Sequence, residues 1–214
     1  TTDTLRRLLG PPEKTYVVAA IHLRPEPRYG LQLCETAHAQ RERVLEALRL
    51  APRPFILYVT RPDEADRWLQ CFLEEGFRRV EKFTGKSSSQ DRQRLLRLWG
   101  ANELDGMIAT SAFGLGVDKS DVRTIVHATL PESLDRFYQE VGRAGRDGRA
   151  SVSLLLYTEA DRDQAKRMSS EKLIGDENGH ARWKLMIDHA TSDPNRADVH
   201  WVALQKLPSH LKVV

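Results

Sequence analysis

Residues 139–149 have the sequence Q-E-V-G-R-A-G-R-D-G-R, and the rest of the chain can be interpreted outward from them. Arginines and glycines alternate there at Gly142, Arg143, Gly145, Arg146, Gly148 and Arg149. Glycine lets a backbone approach another group closely, and a guanidinium matches phosphate oxygens with two hydrogen bonds. A single arginine in this setting would indicate a basic turn after a helix. The whole string favours contact with phosphate, where arginine offsets the charge that develops during phosphoryl transfer.

Apolar strands and amphipathic helices alternate along the chain. The patterns predict strands at residues 15–23, 54–60, 78–83, 105–110, 123–128 and 150–157. They predict helices at residues 37–50, 62–75, 90–99, 133–141, 159–172 and 181–190, with a helix end at 5–9 and a short strand at 199–204. Residues 24–29 contain two prolines and are predicted to form an extended connector. Alternation of this kind is typical of βαβ units with a mostly parallel sheet, so we expect a three-layer α/β domain.

Polar residues follow three of the predicted strands. They are Thr60–Arg61, Thr84–Gly85 and Thr110–Ser111. Ligands of parallel sheets bind beyond the carboxyl ends of the strands. We therefore expect these three segments to border a binding site.

A second segment, residues 109–119, has the sequence A-T-S-A-F-G-L-G-V-D-K. Together with residues 139–149 it resembles motifs V and VI of superfamily-two helicases, and both segments are similar to those of the RecQ family of DNA helicases. Gln139 fits that family better than the DEAD-box RNA helicases, which usually carry histidine there. The resemblance extends from about Arg24 to Arg162. Residues 109–119 are called motif V below, and residues 139–149 motif VI.

The resemblance implies a division of the chain into three parts. Residues 1–23 would be the end of a first lobe and a linker, and residues 24–172 a second RecA-like lobe. Residues 173–214 would be a C-terminal extension of unknown role.

The resemblance also implies which residues meet a nucleotide. Arg146 would be the arginine finger that reaches the γ-phosphate, and Arg143 would contact phosphates or hold the interface between lobes. Gln139 would couple the nucleotide state to neighbouring motifs. Asp118 would bind the ribose or position Arg146, and Gly116 is grouped with these nucleotide contacts.

A second set of residues is expected to face DNA. The hydroxyls of Thr110 and Ser111 and the backbone amide of Gly114 would contact phosphates, although a simple strand-end turn is the alternative for the first two. Three further strand-end residues resemble DNA-backbone contacts of the family, namely Thr60, Arg61 and Gly85. Such binding should be sensitive to salt and tolerant of sequence.

The chain lacks a triphosphate cradle of its own. Gly85-Lys86-Ser87 could end a Walker A loop, but Val80 stands where that loop requires its first glycine. No acidic quartet for magnesium is present either. ATP with magnesium should therefore be held mainly by the first lobe, and this chain alone is not expected to hydrolyse ATP.

Composition sets few limits on function. The net charge of +3 is only mildly basic, so any case for nucleic acid depends on where the arginines lie. The two cysteines, Cys34 and Cys71, form no disulfide framework, which suits a reducing compartment such as the cytoplasm, a nucleoid or a nucleus. No apolar run is long enough to span a membrane.

The tail departs from the RecQ pattern, which commonly continues into a four-cysteine zinc module. No cysteine follows Cys71, so no zinc site is expected. The histidines of the tail are too scattered to replace it, and Trp183 and Trp201 are predicted to be packing anchors. The departure suggests a specialised branch of the family, in DNA repair or in defence against foreign DNA.

These observations together predict the second motor lobe of an ATP-dependent 3′–5′ DNA helicase. Its partners would be single-stranded DNA, or DNA at a duplex junction, and the first lobe of the same protein. One alternative is a lobe of an RNA helicase or a duplex translocase. Another is a non-catalytic lobe that binds nucleic acid or serves as a scaffold.

Overall fold

The computed structural model describes residues 26–113, 119–170, 176–193 and 196–202. The predicted strand at 15–23 and helix end at 5–9 lie outside these residues. So do Gly114, Gly116 and Asp118 of motif V.

Six strands form one parallel sheet in the order β1-β6-β5-β2-β4-β3. The strands are β1 (Pro27–Leu33), β2 (Phe55–Tyr58), β3 (Val80–Phe83), β4 (Gly106–Ala109), β5 (Thr124–His127) and β6 (Ser151–Tyr157). The helices are α1 (Ala37–Leu50), α2 (Pro62–Glu74), α3 (Ser89–Gly100), α4 (Leu134–Val141), α5 (Glu159–Ser170) and α6 (Asp176–Asp188). The predicted strands from 54 to 157 are all present, each shorter than predicted by one to three residues.

The sheet separates two apolar cores. Successive residues of a strand face opposite sides of a sheet, so β2 sends Phe55 and Leu57 to one side and Ile56 to the other. Helices α1 and α2 cover the first side with residues such as Val44 and Phe72. Helix α3 covers the second with Leu95, Trp99 and others. The prediction of a three-layer α/β domain with a parallel sheet is confirmed.

Strand β1 corrects the prediction for residues 24–29. The connector was expected to continue to Tyr29, but Pro27 already pairs with Ser151 and the strand continues to Leu33 beside Tyr157. Proline lacks the N–H that a central strand needs, yet it is tolerated as the first residue of an edge strand. Pro27 occupies that position, at one edge of the sheet.

The helix ends follow the local sequence. The side chains of Ser88 and Ser133 accept hydrogen bonds from backbone amides three residues later, which caps α3 and α4. Gly76, beyond α2, has a φ of +86°, a conformation that glycine adopts without strain. Helix α1 has the predicted bounds.

The chain divides into two compact units, Thr1–Arg162 and Asp163–Val214. In the second, β7 (Ala190–Asp193) pairs antiparallel with β8 (Arg196–Val202), and β7 was not predicted. Trp183 and Trp201 are 64% and 63% exposed, so the prediction that they are packing anchors is wrong. The Trp201 indole instead donates to Asp193 Oδ2 at 2.9 Å across the hairpin.

Candidate functional site

The sheet brings the predicted strand-end residues to one edge. Strands β2, β4 and β3 are neighbours and parallel, so their carboxyl ends lie side by side. The amide of Thr110 donates to the carbonyl of Phe83 at 3.2 Å, which joins the segments after β4 and β3. A Cβ built on Gly85 would lie 3.9 Å from Ala112 Cβ. The segments that contain Gly85 and Ser111 are therefore in contact.

Accessibility differs within this edge. Ser111, Gly85 and Arg61 are exposed, whereas Thr110 is 4% exposed. Thr60 is half-buried, and its hydroxyl forms a 2.7 Å hydrogen bond with that of Thr129 after β5. Of the predicted hydroxyls, that of Ser111 is thus the one most open to a ligand.

In the turn between β2 and α2, a carboxylate of the chain itself occupies the position beside the backbone amides. Oε2 of Glu64 accepts hydrogen bonds from the amides of Thr60 and Arg61, both at 3.0 Å. The Arg61 guanidinium contacts the other oxygen of Glu64 at 3.0 Å and remains exposed. A phosphate at this turn would therefore meet the Arg61 side chain rather than the two amides.

The segment after β3 is held in a fixed shape. Arg92, on α3, donates from Nη2 to the carbonyl of Gly85 at 2.8 Å and from Nε to that of Ser87 at 3.0 Å. Its guanidinium also lies over the Phe83 ring, 5.7 Å from the centroid. This role of Arg92 could not be predicted from the sequence, because the contacts depend on how α3 packs next to the end of β3.

Motif VI begins on α4 and continues into a glycine turn. Gln139 is exposed on the helix, Arg143 follows the helix end and is half-buried, and Arg146 is exposed. Arg146 donates from Nε to the carbonyl of Gly142 at 3.2 Å. Gly145 has a φ of +61°, and an added Cβ would lie 2.7 Å from the carbonyl oxygen of Arg149. The turn is therefore too tight for a side chain at this glycine.

The turn of motif VI is bonded to the residues that follow motif V. The amide of Gly145 donates to the carbonyl of Val122 at 2.9 Å, and that of Asp147 to the carbonyl of Ser120 at 3.2 Å. Arg123 donates from Nη1 to Asp147 Oδ1 at 2.9 Å and from Nη2 to Oδ2. Hydrogen bonding from Arg123 lowers the pKa of Asp147 to about 2. Motif VI is thus bonded directly to the segment between motif V and β5.

Lys119, the last residue of motif V, is itself anchored. It is 8% exposed, and its ammonium group contacts Asn102 Oδ1 at 2.5 Å and Asp121 Oδ1 at 2.9 Å. It also lies 5.4 Å from the centroid of the Trp99 ring. These contacts fix the end of motif V directly after Asp118.

A buried polar cluster lies beneath α4, and sequence reasoning missed it. Nε2 of His127 and Oε2 of Glu140 are 3.0 Å apart, and the other oxygen of Glu140 accepts from Arg136 Nε at 2.9 Å. The His127 ring stacks on Tyr58, with centroids 5.2 Å apart. Burial raises the pKa of the Tyr58 hydroxyl, and the nearby charge of Arg143 opposes that rise.

The described residues also bear on other classes of function. No group of three or more His, Cys, Asp or Glu side chains in the described ranges is arranged to hold a metal ion. Over the same ranges, no helix combines the length and apolar character that crossing a membrane requires.

Comparison with known proteins identifies the domain. Residues 37–148, just over half of the chain, match the model of the helicase conserved C-terminal domain. The chain belongs to this family. The matched region contains α1, the strands from β2 to β5 and both motifs up to Gly148.

Relatives in sequence place this helicase C-terminal domain among RecQ-like proteins. It is 49% identical over 103 residues to the RecQ-like DNA helicase blm-1 of Caenorhabditis elegans, covering 48% of this chain and 10% of the relative. It is 31% identical over 163 residues to the probable ATP-dependent DNA helicase RecS of Bacillus subtilis, covering 75% of this chain and 33% of the relative. The chain thus spans a third or less of these relatives.

A solved structure supports the fold of the domain. The yeast DEAD-box splicing factor Prp28 aligns with a TM-score of 0.63 and 19% identity, over 71% of this chain and 33% of that one. At this identity the likeness concerns architecture alone. It supports the RecA-like assignment of the sheet and its helices.

Proposed function

We propose that this helicase C-terminal domain is the second motor lobe of an ATP-dependent DNA helicase that moves 3′ to 5′. Two relatives that match it over this region are named as DNA helicases. ATP with magnesium would bind mainly to a first lobe, which would face motif VI. The chain would then contribute charge and positioning to hydrolysis, and part of the surface that holds DNA.

Within this proposal, motif VI acts on the nucleotide. Arg146 is the arginine finger, and its exposure leaves it accessible to a γ-phosphate on a facing lobe. Arg143 contacts phosphate or stabilises the interface, and exposed Gln139 reports the nucleotide state to the neighbouring motifs. Asp118 and Gly116 complete the nucleotide contacts. An arginine finger contributes by offsetting charge in the transition state.

The carboxyl edge of the sheet would hold the DNA backbone. Ser111 and Arg61 are exposed there and offer a hydroxyl and a guanidinium. Arg92 holds the segment with Gly85 in a fixed conformation, so DNA binding would not have to order this segment. The other members of the proposed track are Thr60, Thr110 and Gly114. Contacts of this kind read phosphate and not bases.

The observation that carries the proposal is the connection between the two ends of motif V. Thr110 and Ser111, near its start, follow β4 at the proposed DNA edge. The residues directly after its end, from Ser120 to Arg123, bond to the turn that contains Arg146. In the sequence, motif V therefore links the proposed DNA edge to the residues that hold the proposed finger. A motor needs such a connection if the state of the bound nucleotide is to change the affinity for DNA.

Unwinding assays with the full-length protein test the proposal. A duplex with a 3′ single-stranded tail should be unwound in the presence of ATP and magnesium, and a matched duplex with a 5′ tail should not. ATP hydrolysis should be stimulated by single-stranded DNA more than by RNA of the same sequence. Stimulation by RNA alone would favour an RNA helicase. Stimulation by blunt duplex without strand separation would favour a translocase, and no hydrolysis at all would leave a binding lobe.

A further inference from the structure

The buried cluster beneath α4 joins the centre of the sheet to motif VI. His127, the last residue of β5, is 0% exposed, and Glu140 is 7% exposed. Glu140 immediately follows Gln139 in the helix and precedes Arg143 by three residues. A buried carboxylate with fewer than its full set of partners is costly, so His127 and Arg136 together make this position of Glu140 stable.

Fixing Glu140 also fixes the rotation of the helix. Neighbouring helix residues point about 100° apart around the axis, so a Glu140 held against β5 leaves Gln139 on a different face. That residue is indeed exposed. Helix α4 has eight residues, too few to be stable on its own in water. Its orientation must therefore come from tertiary contacts such as this one.

Tyr58 extends the cluster from His127 to β2. Its ring is stacked on that of His127 with an angle of 19° between the planes. Phe137, also on α4, lies 5.1 Å from the His127 ring. Through these contacts the ends of β2 and β5 position α4, which contains the start of motif VI.

We propose that His127 is a positioning residue for motif VI. It sets the rotation of α4 through Glu140, and its own ring is stacked on Tyr58. It does not need to touch nucleotide or DNA, and it acts through the arginine-bearing segment. This inference rests on the proposed motor function, because its consequence is the rate of ATP hydrolysis.

Three substitutions separate positioning from packing. His127→Phe keeps a ring on Tyr58 but removes the hydrogen bond to Glu140. His127→Gln restores a side-chain donor at a similar reach. Val126→Ala is the matched control, because Val126 lies on the same strand, is fully buried and packs in the core on the opposite side of the sheet. All are made in the full-length protein, and kcat and KM for ATP are measured with saturating DNA alongside the melting temperature.

We expect His127→Phe to lower kcat by more than its loss of stability can explain. His127→Phe should lower kcat by about ten- to a hundredfold, since a small misplacement of a catalytic group costs that much. KM for ATP should change little, and His127→Gln should recover part of the rate. Val126→Ala should keep the wild-type kcat even if it melts lower. Wild-type kcat in His127→Phe, or equal losses in His127→Phe and Val126→Ala at equal melting temperature, would overturn the inference.

Arg146→Ala, measured in parallel, separates the inference from the motor proposal. If Arg146→Ala abolishes hydrolysis while His127→Phe keeps the wild-type kcat, the inference alone fails. If Arg146→Ala has no effect, the motor proposal fails and the inference fails with it.

Discussion

Arg123 and Asp147 form a two-point ion pair that joins the residue before β5 to the turn of motif VI. The amide of Arg149 also donates to Oδ1 of Asp147 at 3.2 Å. One carboxylate therefore orders both sides of the turn in which Arg146 lies. Bidentate arginine–carboxylate pairs have a preferred geometry as well as a favourable energy, so this contact determines where the turn lies.

Replacing Asp147 with Asn should destabilise the chain at neutral pH and progressively less in acid. The pKa of Asp147 is lowered from 3.8 to about 2, chiefly by its hydrogen bond from Arg123. A carboxyl whose pKa is depressed by folding contributes stability above its unfolded pKa, and the contribution is lost as pH falls through the folded value. The difference between wild type and Asp147→Asn should thus be constant above about pH 5 and shrink between about pH 5 and 2.

Urea unfolding of both proteins across this range measures the effect. Asp163→Asn, a substitution of an exposed aspartate on α5, is the control and should show no comparable pH dependence. A difference between wild type and Asp147→Asn that grows as the pH is lowered would contradict the pairing.

Gly145→Ala should be more damaging than Gly148→Ala. Both glycines have positive φ, +61° and +77°, so both substitutions carry the cost of about 1–2 kcal/mol that a side chain brings to this conformation. At Gly145 the new Cβ would also meet Arg149 O at 2.7 Å and Ser151 Oγ at 3.0 Å, whereas nothing lies within 4 Å at Gly148. We expect about 1–3 kcal/mol of additional loss at Gly145 from this overlap.

Chemical denaturation of the two variants gives the comparison directly. Equal losses of stability would show that the turn can shift to accept a side chain at Gly145. In the full-length protein, Gly145→Ala should also slow ATP hydrolysis more than Gly148→Ala. The overlap of the new Cβ would shift the backbone at residue 145, which directly precedes Arg146.

Arg61→Ala in the full-length protein should weaken DNA binding equally for different sequences. If the exposed guanidinium meets one phosphate, removing it should reduce the slope of log affinity against log salt by about 1. Fluorescence anisotropy with two unrelated single strands at several salt concentrations measures both quantities. Arg43→Ala is the control, since Arg43 is an exposed arginine on α1 that pairs with Glu46 at 2.7 Å. An unchanged slope in Arg61→Ala would remove Arg61 from the track.

Much of the fold follows from local sequence. Strand β2 is four consecutive apolar residues, all buried, as expected for a strand covered on both faces. Ser133 and Gly76 mark helix ends through capping geometry that depends on a few neighbouring residues. Strand β1 was obscured because Pro27 is unfavourable in a sheet except at the start of an edge strand, and edge position is a property of the whole topology.

The exposed residues of the candidate site could be predicted from the sequence, but the buried residues that position them could not. Strand-end residues such as Ser111 follow from the rule for parallel sheets. The pairing of His127 with Glu140 joins residues on two elements, and neither residue type suggests burial. Trp183 and Trp201 were misjudged for the converse reason: aromatic side chains are usually buried, but these two are exposed.

Substitution of Arg146 tests whether this side chain supplies charge to ATP hydrolysis. DNA-stimulated ATP hydrolysis by the full-length protein is compared for wild type, Arg146→Ala and the control Arg43→Ala, with nucleotide binding measured separately. We expect Arg146→Ala to lose about 10³-fold or more in kcat while still binding ATP, and Arg43→Ala to be unchanged. Hydrolysis by Arg146→Ala at the wild-type rate would contradict this role of Arg146.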